Sequence, residues 1–562
     1  MKKLLVNICT SVALFVSFCA AANVFGQSSA TGTDVEGNAI PHLQRKGDAV
    51  RLIVDGRPFL MLSGETHNSS STNLDYIDAV FSKLNMLGLN SAITPITWEL
   101  FEPIEGEYDF ALVDGIVGSA RRHDLRLTLL WFGSWKNGVS SYVPEWVKRD
   151  TKRFPRCQGS SNRNTKDVLT PLCEENRNAD ARAFAALMRH IKEIDGEQHT
   201  VIMMQVENEV GIKPEPRDLS QLGDDTFNSP VPKELIDYLV SHRDELHPEL
   251  LDRWQSAGGK TEGTWPEVFG ASPGSDEVFS AWHYAKYINE VTRAGKAEYP
   301  LPMYVNAWLR GDGAAIGTYP TGGPVAHMHD VWRAAAPDID FFAPDIYDSA
   351  FKEVCLRYTR NGNPLMIPEA SYDDAAAARA YWAFGEHDAM CFAPFGIESI
   401  DGEHPLTSTY RILDQLMPMI VAAQGTDRMI GIYRQRNDEP SPDGPLVLGD
   451  WNVNLRYLDR DIPKDTRTPI GGIVIQTGDD EFIVAGYGFS VNFGARTPGL
   501  RNTAILSVEL GHIEDGRFVG DLRLNGDETG ANYVAKIPMF TRNKFLGVTE
   551  QRILRVKVYR HD

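Results

Sequence analysis

Val201-Ile202-Met203-Met204-Gln205-Val206 is a short, mostly apolar run that ends at once in Glu207-Asn208-Glu209. So brief a run, bounded by polar residues, reads as a buried strand. Seven more runs of this kind lie at residues 59–63, 91–96, 126–132, 302–306, 340–344, 364–367 and 390–394. Segments of helical period separate them. Leu74, Ile77, Val80, Phe81, Leu84 and Leu87 form one stripe, and Phe184, Leu187, Met188 and Ile191 another. Strands alternating with helices argue for βα repeats on a parallel sheet. Eight strands over roughly 360 residues is the count of a (β/α)8 TIM barrel.

Outward from the barrel the pattern changes. The last helical period covers residues 408–423. After it Leu506, Val508 and Leu510 alternate with polar neighbours, as do Leu554, Val556 and Val558, with Asn525-Gly526-Asp527 as a turn signal. The expected organisation is a catalytic barrel at 51–425 and a β-rich, sandwich-like C-terminal domain at 426–562. Residues 27–50 read as a mobile leader into a strand at 51–54 and the turn Asp55-Gly56-Arg57-Pro58. Residues 1–26 read as a secretory signal peptide: Lys2 and Lys3, an apolar run at 11–25, and small or branched residues before a polar stretch. That run is shorter than the roughly 20 residues that span a bilayer. Export to a periplasm or the exterior is expected, with no membrane contact after cleavage. Lipidation at Cys19 fits less well, because the bulky Phe18 precedes it.

The chain has 562 residues, with 56 Lys+Arg against 76 Asp+Glu and a formal charge of −20. An acidic field without a basic tract repels phosphate backbones, so nucleic acid is not an expected partner. With 11 Trp, 25 Phe and 19 Tyr there is ample material for a core, and disorder is not expected. Cys157 and Cys173 bracket a polar loop, and an oxidising compartment would permit their pairing. His67, His283, His327 and His329 match no catalytic zinc spacing. Neither metal nor cofactor is expected, and a homo-oligomer is left open.

In such a barrel the reactive groups sit at the C-terminal strand ends. Glu209 closes the fourth strand and Glu369 the seventh, which puts two carboxyls across the barrel mouth. Glycoside hydrolysis needs such a pair: an acid for the leaving oxygen, and a carboxylate that attacks the anomeric carbon or activates water. A separation of about 5 Å means retention, and one of about 6.5 to 9.5 Å inversion. Trp98, Trp135 and Trp308 are candidate platforms for a sugar ring, with ordinary core packing as the alternative for each. Glu65, Lys136, Asn137 and Asn306 are candidate partners for sugar hydroxyls.

Gln205-Val206-Glu207-Asn208-Glu209-Val210-Gly211 resembles the acid/base motif of glycoside hydrolase family 35, the β-galactosidases. Further matches are Ser63-Gly64 with His67, Trp98 with Glu102-Pro103, Gly106 and Tyr108-Asp109-Phe110, and Tyr142-Val143-Pro144-Glu145-Trp146. The resemblance covers roughly residues 50–420. It implies a retaining exo-acting enzyme, with Glu209 as acid/base and Glu369 as nucleophile. It also implies that Asn208 binds the sugar 2-hydroxyl and that Tyr347 orients the nucleophile. Pro95 replaces a tyrosine found in many members, and Gly133-Ser134-Trp135-Lys136-Asn137 replaces their Cys-Ala-Glu stretch. The expected substrate is a carbohydrate with a terminal β-galactoside, such as a plant cell-wall oligosaccharide. A same-fold β-glucosidase or exo-β-glucosaminidase and a non-catalytic carbohydrate binder remain alternatives.

Overall fold

The computed structural model describes residues 39–160, 167–347, 350–435, 439–458, 469–496, 499, 502–537 and 551–562. The proposed signal peptide lies outside them. Eight parallel strands form one sheet: Met61–Leu62, Ser91–Thr97, Arg126–Lys136, Val201–Asn208, Met303–Trp308, Phe341–Ile346, Met366–Ala370 and Cys391–Pro394. The sheet closes on itself. Ile93 N donates to Gly64 O at 2.9 Å and Thr66 N to Ile93 O at 3.0 Å, joining the first strand to the second. The Tyr410 hydroxyl, on the helix Pro405–Ala423, lies 2.8 Å from Ser63 O and 2.6 Å from Phe392 O. It fastens the first strand to the eighth from outside.

Residues 27–50 are not wholly the expected leader. His42–Lys46 pairs antiparallel with Ala49–Val54, and Arg57–Phe59 adds a third strand. Leu52 and Val54 pack on the barrel-interior residues Met61, Ile93, Leu130, Met203 and Tyr304. Burying these side chains is what orders the segment. Asp55 accepts from Arg126 and pairs with His199, both at strand beginnings, so this small sheet covers the end of the barrel opposite the strand ends that carry Glu209 and Glu369.

Beyond the last barrel helix, Met429–Arg434, Ile470–Gly478, Glu481–Tyr487, Arg552–His561, Asn502–Glu514 and Arg517–Leu524 form a six-stranded antiparallel sheet. Leu446–Leu448, Trp451–Tyr457, Phe489–Ala495 and Ala535–Ile537 form a four-stranded one. Period-two alternation splits the larger sheet's side chains between two cores. Phe482 and Val484 join Trp451, Phe489 and Phe493 between the sheets, whereas Ile483 and Ala485 join the barrel core. The barrel helix Ala376–His387 runs against this outer face. Gly385 and Gly431 meet so closely that a Cβ on Gly385 would lie 2.8 Å from the Gly431 Cα. One sequence-based detail differs. A bulge between Ile505 and Ser507 buries Ile505 and leaves Leu506 exposed, so the alternation is broken there.

Candidate active site

The fourth strand reaches the barrel mouth through two residues with left-handed backbone, Glu207 at φ 64° and Glu209 at φ 45°. Non-glycine residues adopt this region rarely, and such conformations gather at functional sites. Here the kinks send neighbouring carboxyls to different tasks. Glu207 turns to the third strand, where it accepts from Ser134 N at 2.9 Å and Trp135 N at 2.7 Å. Beside it Asp180 accepts from Trp131 Nε1 at 2.8 Å and Ser134 Oγ at 2.6 Å. Burial, and then the charge of Asp180, push the Glu207 carboxyl far above the usual carboxylate range.

Gly133 is the residue around which these groups close. A Cβ there would sit 2.4 Å from Trp131 Nε1 and 2.6 Å from Glu207 Oε1. Gly133→Ala is therefore expected to destabilise the fold by about 1 to 3 kcal/mol. Denaturant unfolding of the variant checks this, and an unchanged midpoint would contradict the packing.

Glu209 turns to the mouth. Its backbone N donates to Asn306 Oδ1 at 2.9 Å, and Asn306 Nδ2 donates to Asp345 Oδ2 at 2.8 Å. Glu369, on the seventh strand, stands in register with Asp345 on the sixth. The Tyr347 hydroxyl donates to Glu369 Oε1 at 2.5 Å. One oxygen from each of Glu209, Asp345 and Glu369 lies within 4.8 Å of the other two. Burial, followed by the negative charge of Glu369, raises Glu209 to about 7. These carboxyls, with Asn137, Trp308, Leu309, Gly311 and Tyr347, line a pocket of about 500 Å³.

The other candidate residues divide. Trp308 is exposed at the rim, with the Lys213 ammonium 3.6 Å from its ring centre. Asn137 lines the pocket, and Asn208 is buried with both amide atoms free of hydrogen-bond partners among the described residues. Lys136 lies 5.0 Å over the Phe132 ring, its charge facing Glu65 and Glu209. Glu65 is fully buried and its carboxyl is raised, first by burial and then by Glu369.

Three expectations need correction. Trp135 is no platform: it is fully buried, its Nε1 donates to Leu169 O, and Tyr284 and Tyr287 of the long helix Pro273–Glu298 cover its ring. Trp98 is buried likewise and donates to Glu102. Asn306 is buried, binds Glu209 and Asp345 through its amide and is not among the residues that line the pocket. The bond that the sequence permits between Cys157 and Cys173 is not formed, and their sulfurs face the carbonyls of Leu169 and Arg153.

Asp345 was not singled out in the sequence. Its signal is an acidic residue inside the apolar strand Phe341-Phe342-Ala343-Pro344-Asp345-Ile346. A lone carboxylate is costly to bury, so one in such a place marks a partner.

Residues 51–125 match the family model Glycosyl hydrolases family 35. Residues 406–535 match a domain of unknown function, DUF5597. Glu65 falls inside the first match, whereas Glu209 and Glu369 lie outside both. No curated protein matches the chain. Among solved structures, a cold-adapted β-galactosidase from Rahnella sp. R3 is 15% identical, with 64% of this chain and 56% of that one covered at a TM-score of 0.43. A β-galactosidase from the haloarchaeon Halorubrum lacusprofundi is 14% identical, with 64% and 58% covered at 0.44. A β-mannanase from the mussel Mytilus edulis is 14% identical, with 66% and 96% covered at 0.39. The chain thus spans little more than half the length of the β-galactosidases it matches.

Proposed function

We propose that the protein is a retaining, exo-acting β-galactosidase that removes terminal β-D-galactosyl residues from oligo- or polysaccharides by double displacement. The observation that carries this reading is the Glu209 and Glu369 pair, whose nearest oxygens lie within 4.8 Å. A gap below that ceiling supports the roughly 5 to 5.5 Å separation of a retaining pair over the roughly 6.5 to 9.5 Å that leaves an inverting enzyme room for water. Glu369 attacks the anomeric carbon as Glu209 gives its proton to the glycosidic oxygen, and the carbon–oxygen bond breaks. Once Glu369 is esterified its charge is gone and Glu209 becomes a stronger acid, so it rests as the carboxylate that deprotonates water. Water then attacks the same carbon and frees the sugar with its configuration retained. The preference for galactose and the exo action draw on the resemblance to family 35. Export through residues 1–26 would suit a glycan met outside the cytoplasm.

Release of 4-nitrophenol from the β-galactoside, beside the β-glucoside, tests the sugar. Proton NMR of the first-formed product tests the stereochemistry. Fast galactoside turnover with β-galactose appearing first is expected. The α-anomer appearing first would overturn retention, and no turnover on any aryl glycoside would overturn the activity.

Tyr347→Phe removes the hydroxyl on Glu369. A hydrogen bond to a charged group contributes about 1.5 to 3 kcal/mol, so kcat is expected to fall roughly 10- to 100-fold. Steady-state kinetics on the aryl galactoside checks it, and a wild-type kcat would remove Tyr347 from the mechanism.

A further inference from the structure

The site holds one more carboxyl than double displacement requires. We propose that Asp345 is a positioning residue: a neutral carboxylic acid whose proton is held toward Glu209 and steadies the carboxylate that Glu209 becomes once it has protonated the leaving group. The inference deepens the proposed function and rests on it.

Asp345 is buried, and its Oδ2 is taken by Asn306 Nδ2. Asn306 also holds the Glu209 backbone, so one amide fixes the relative placement of the two acids. One carboxyl oxygen of Asp345 lies within 4.8 Å of one of Glu209, and a proton on Asp345 would relieve the repulsion between two acids held this close. Asp345 Oδ1 and Glu209 Oε2 are both buried with no hydrogen-bond partner among the described residues, so a proton on Asp345 would supply Glu209 with a donor. The groups facing Asp345 are mostly acidic: Glu369 in register beside it, Glu209 above the Asn306 bridge, and Glu65 on the first strand. Tyr347 has its hydroxyl on Glu369, while the cations Lys136 and Lys213 act on Glu209. Burial and these negative neighbours push Asp345 far above the usual carboxylate range.

The step balances without a new reactant. Glu209 loses its proton to the glycosidic oxygen and keeps the electron pair. Asp345 keeps its own proton and donates it as a hydrogen bond to the new carboxylate.

The sign of a pH shift tests this. A neutral donor lowers the pKa of Glu209, so Asp345→Ala is expected to move the basic limb of kcat/KM to higher pH. An ionised Asp345 would raise that pKa, and its removal would move the limb down. Asp345→Ala should lower kcat roughly 10- to 100-fold with KM little changed, and Asp345→Asn, which retains a donor, should lose less and leave the limb near its wild-type position. A downward shift in either variant, or wild-type kcat in Asp345→Ala, overturns the proposal. Infrared spectra of protein carrying ¹³C-labelled aspartate give a readout independent of turnover. A protonated-carboxyl band persisting at pH 7 in the wild type and absent in Asp345→Asn is expected, and its absence from the wild type overturns the proposal. If the wild type cleaves no glycoside, the activity fails while the band still decides the state of Asp345.

Discussion

Glu369→Ala should lose on the order of 10⁵-fold in kcat, since removing a nucleophile that acts as part of a unit costs nearly the whole chemical step. The same variant is expected to regain turnover when azide fills the space of the carboxylate. Azide then attacks from the face that Glu369 would use, so the product is a glycosyl azide of opposite anomeric configuration to the substrate. NMR of that product is the check. An azide adduct that keeps the substrate's configuration would move the nucleophile's role away from Glu369.

Glu209→Ala is the second large effect, and it depends on the leaving group. General acid catalysis contributes about 10²- to 10⁴-fold, so glycosides with a sugar leaving group should slow by that range. A dinitrophenyl glycoside, whose leaving oxygen needs no proton, should form its covalent intermediate at close to the normal rate. Azide accelerates this variant by replacing water in the second displacement, and the adduct keeps the substrate's configuration. The pH profile adds a sign. As the proposed acid, Glu209 has to be protonated in the free enzyme, and burial beside Glu369 raises its carboxyl to about 7, so wild-type kcat/KM should fall as pH rises through that value. In Glu209→Ala this limb should vanish. A limb that persists would assign it to another group.

The barrel was legible because each strand is an apolar run set between helical periods, and all eight runs became strands. Their polar ends were less so. The third strand continues through Gly133, Ser134 and Trp135 to Lys136 because the Glu207 carboxyl ties its backbone. That tie depends on a left-handed kink no periodicity records. Asp345 is not legible in the sequence because its importance lies in register: it stands beside Glu369 on the neighbouring strand, and a one-dimensional pattern does not give that pairing. Trp135 and Trp308 are alike as strand-end tryptophans. They differ because Tyr284 and Tyr287, from a helix more than a hundred residues later, cover the first, whereas the second stays at the rim.

The close approach of Gly385 and Gly431 bears on how the molecule is assembled in time. A helix of the barrel finds its outer wall only in strands that follow it in the chain, and the strand Arg552–His561 supplies Ile553 to the barrel core. Synthesis from the N-terminus therefore leaves the nearly finished barrel with a bare flank until the last strand has emerged. The flank of the barrel is thus completed by a part of the protein that, among the described residues, does not line the pocket.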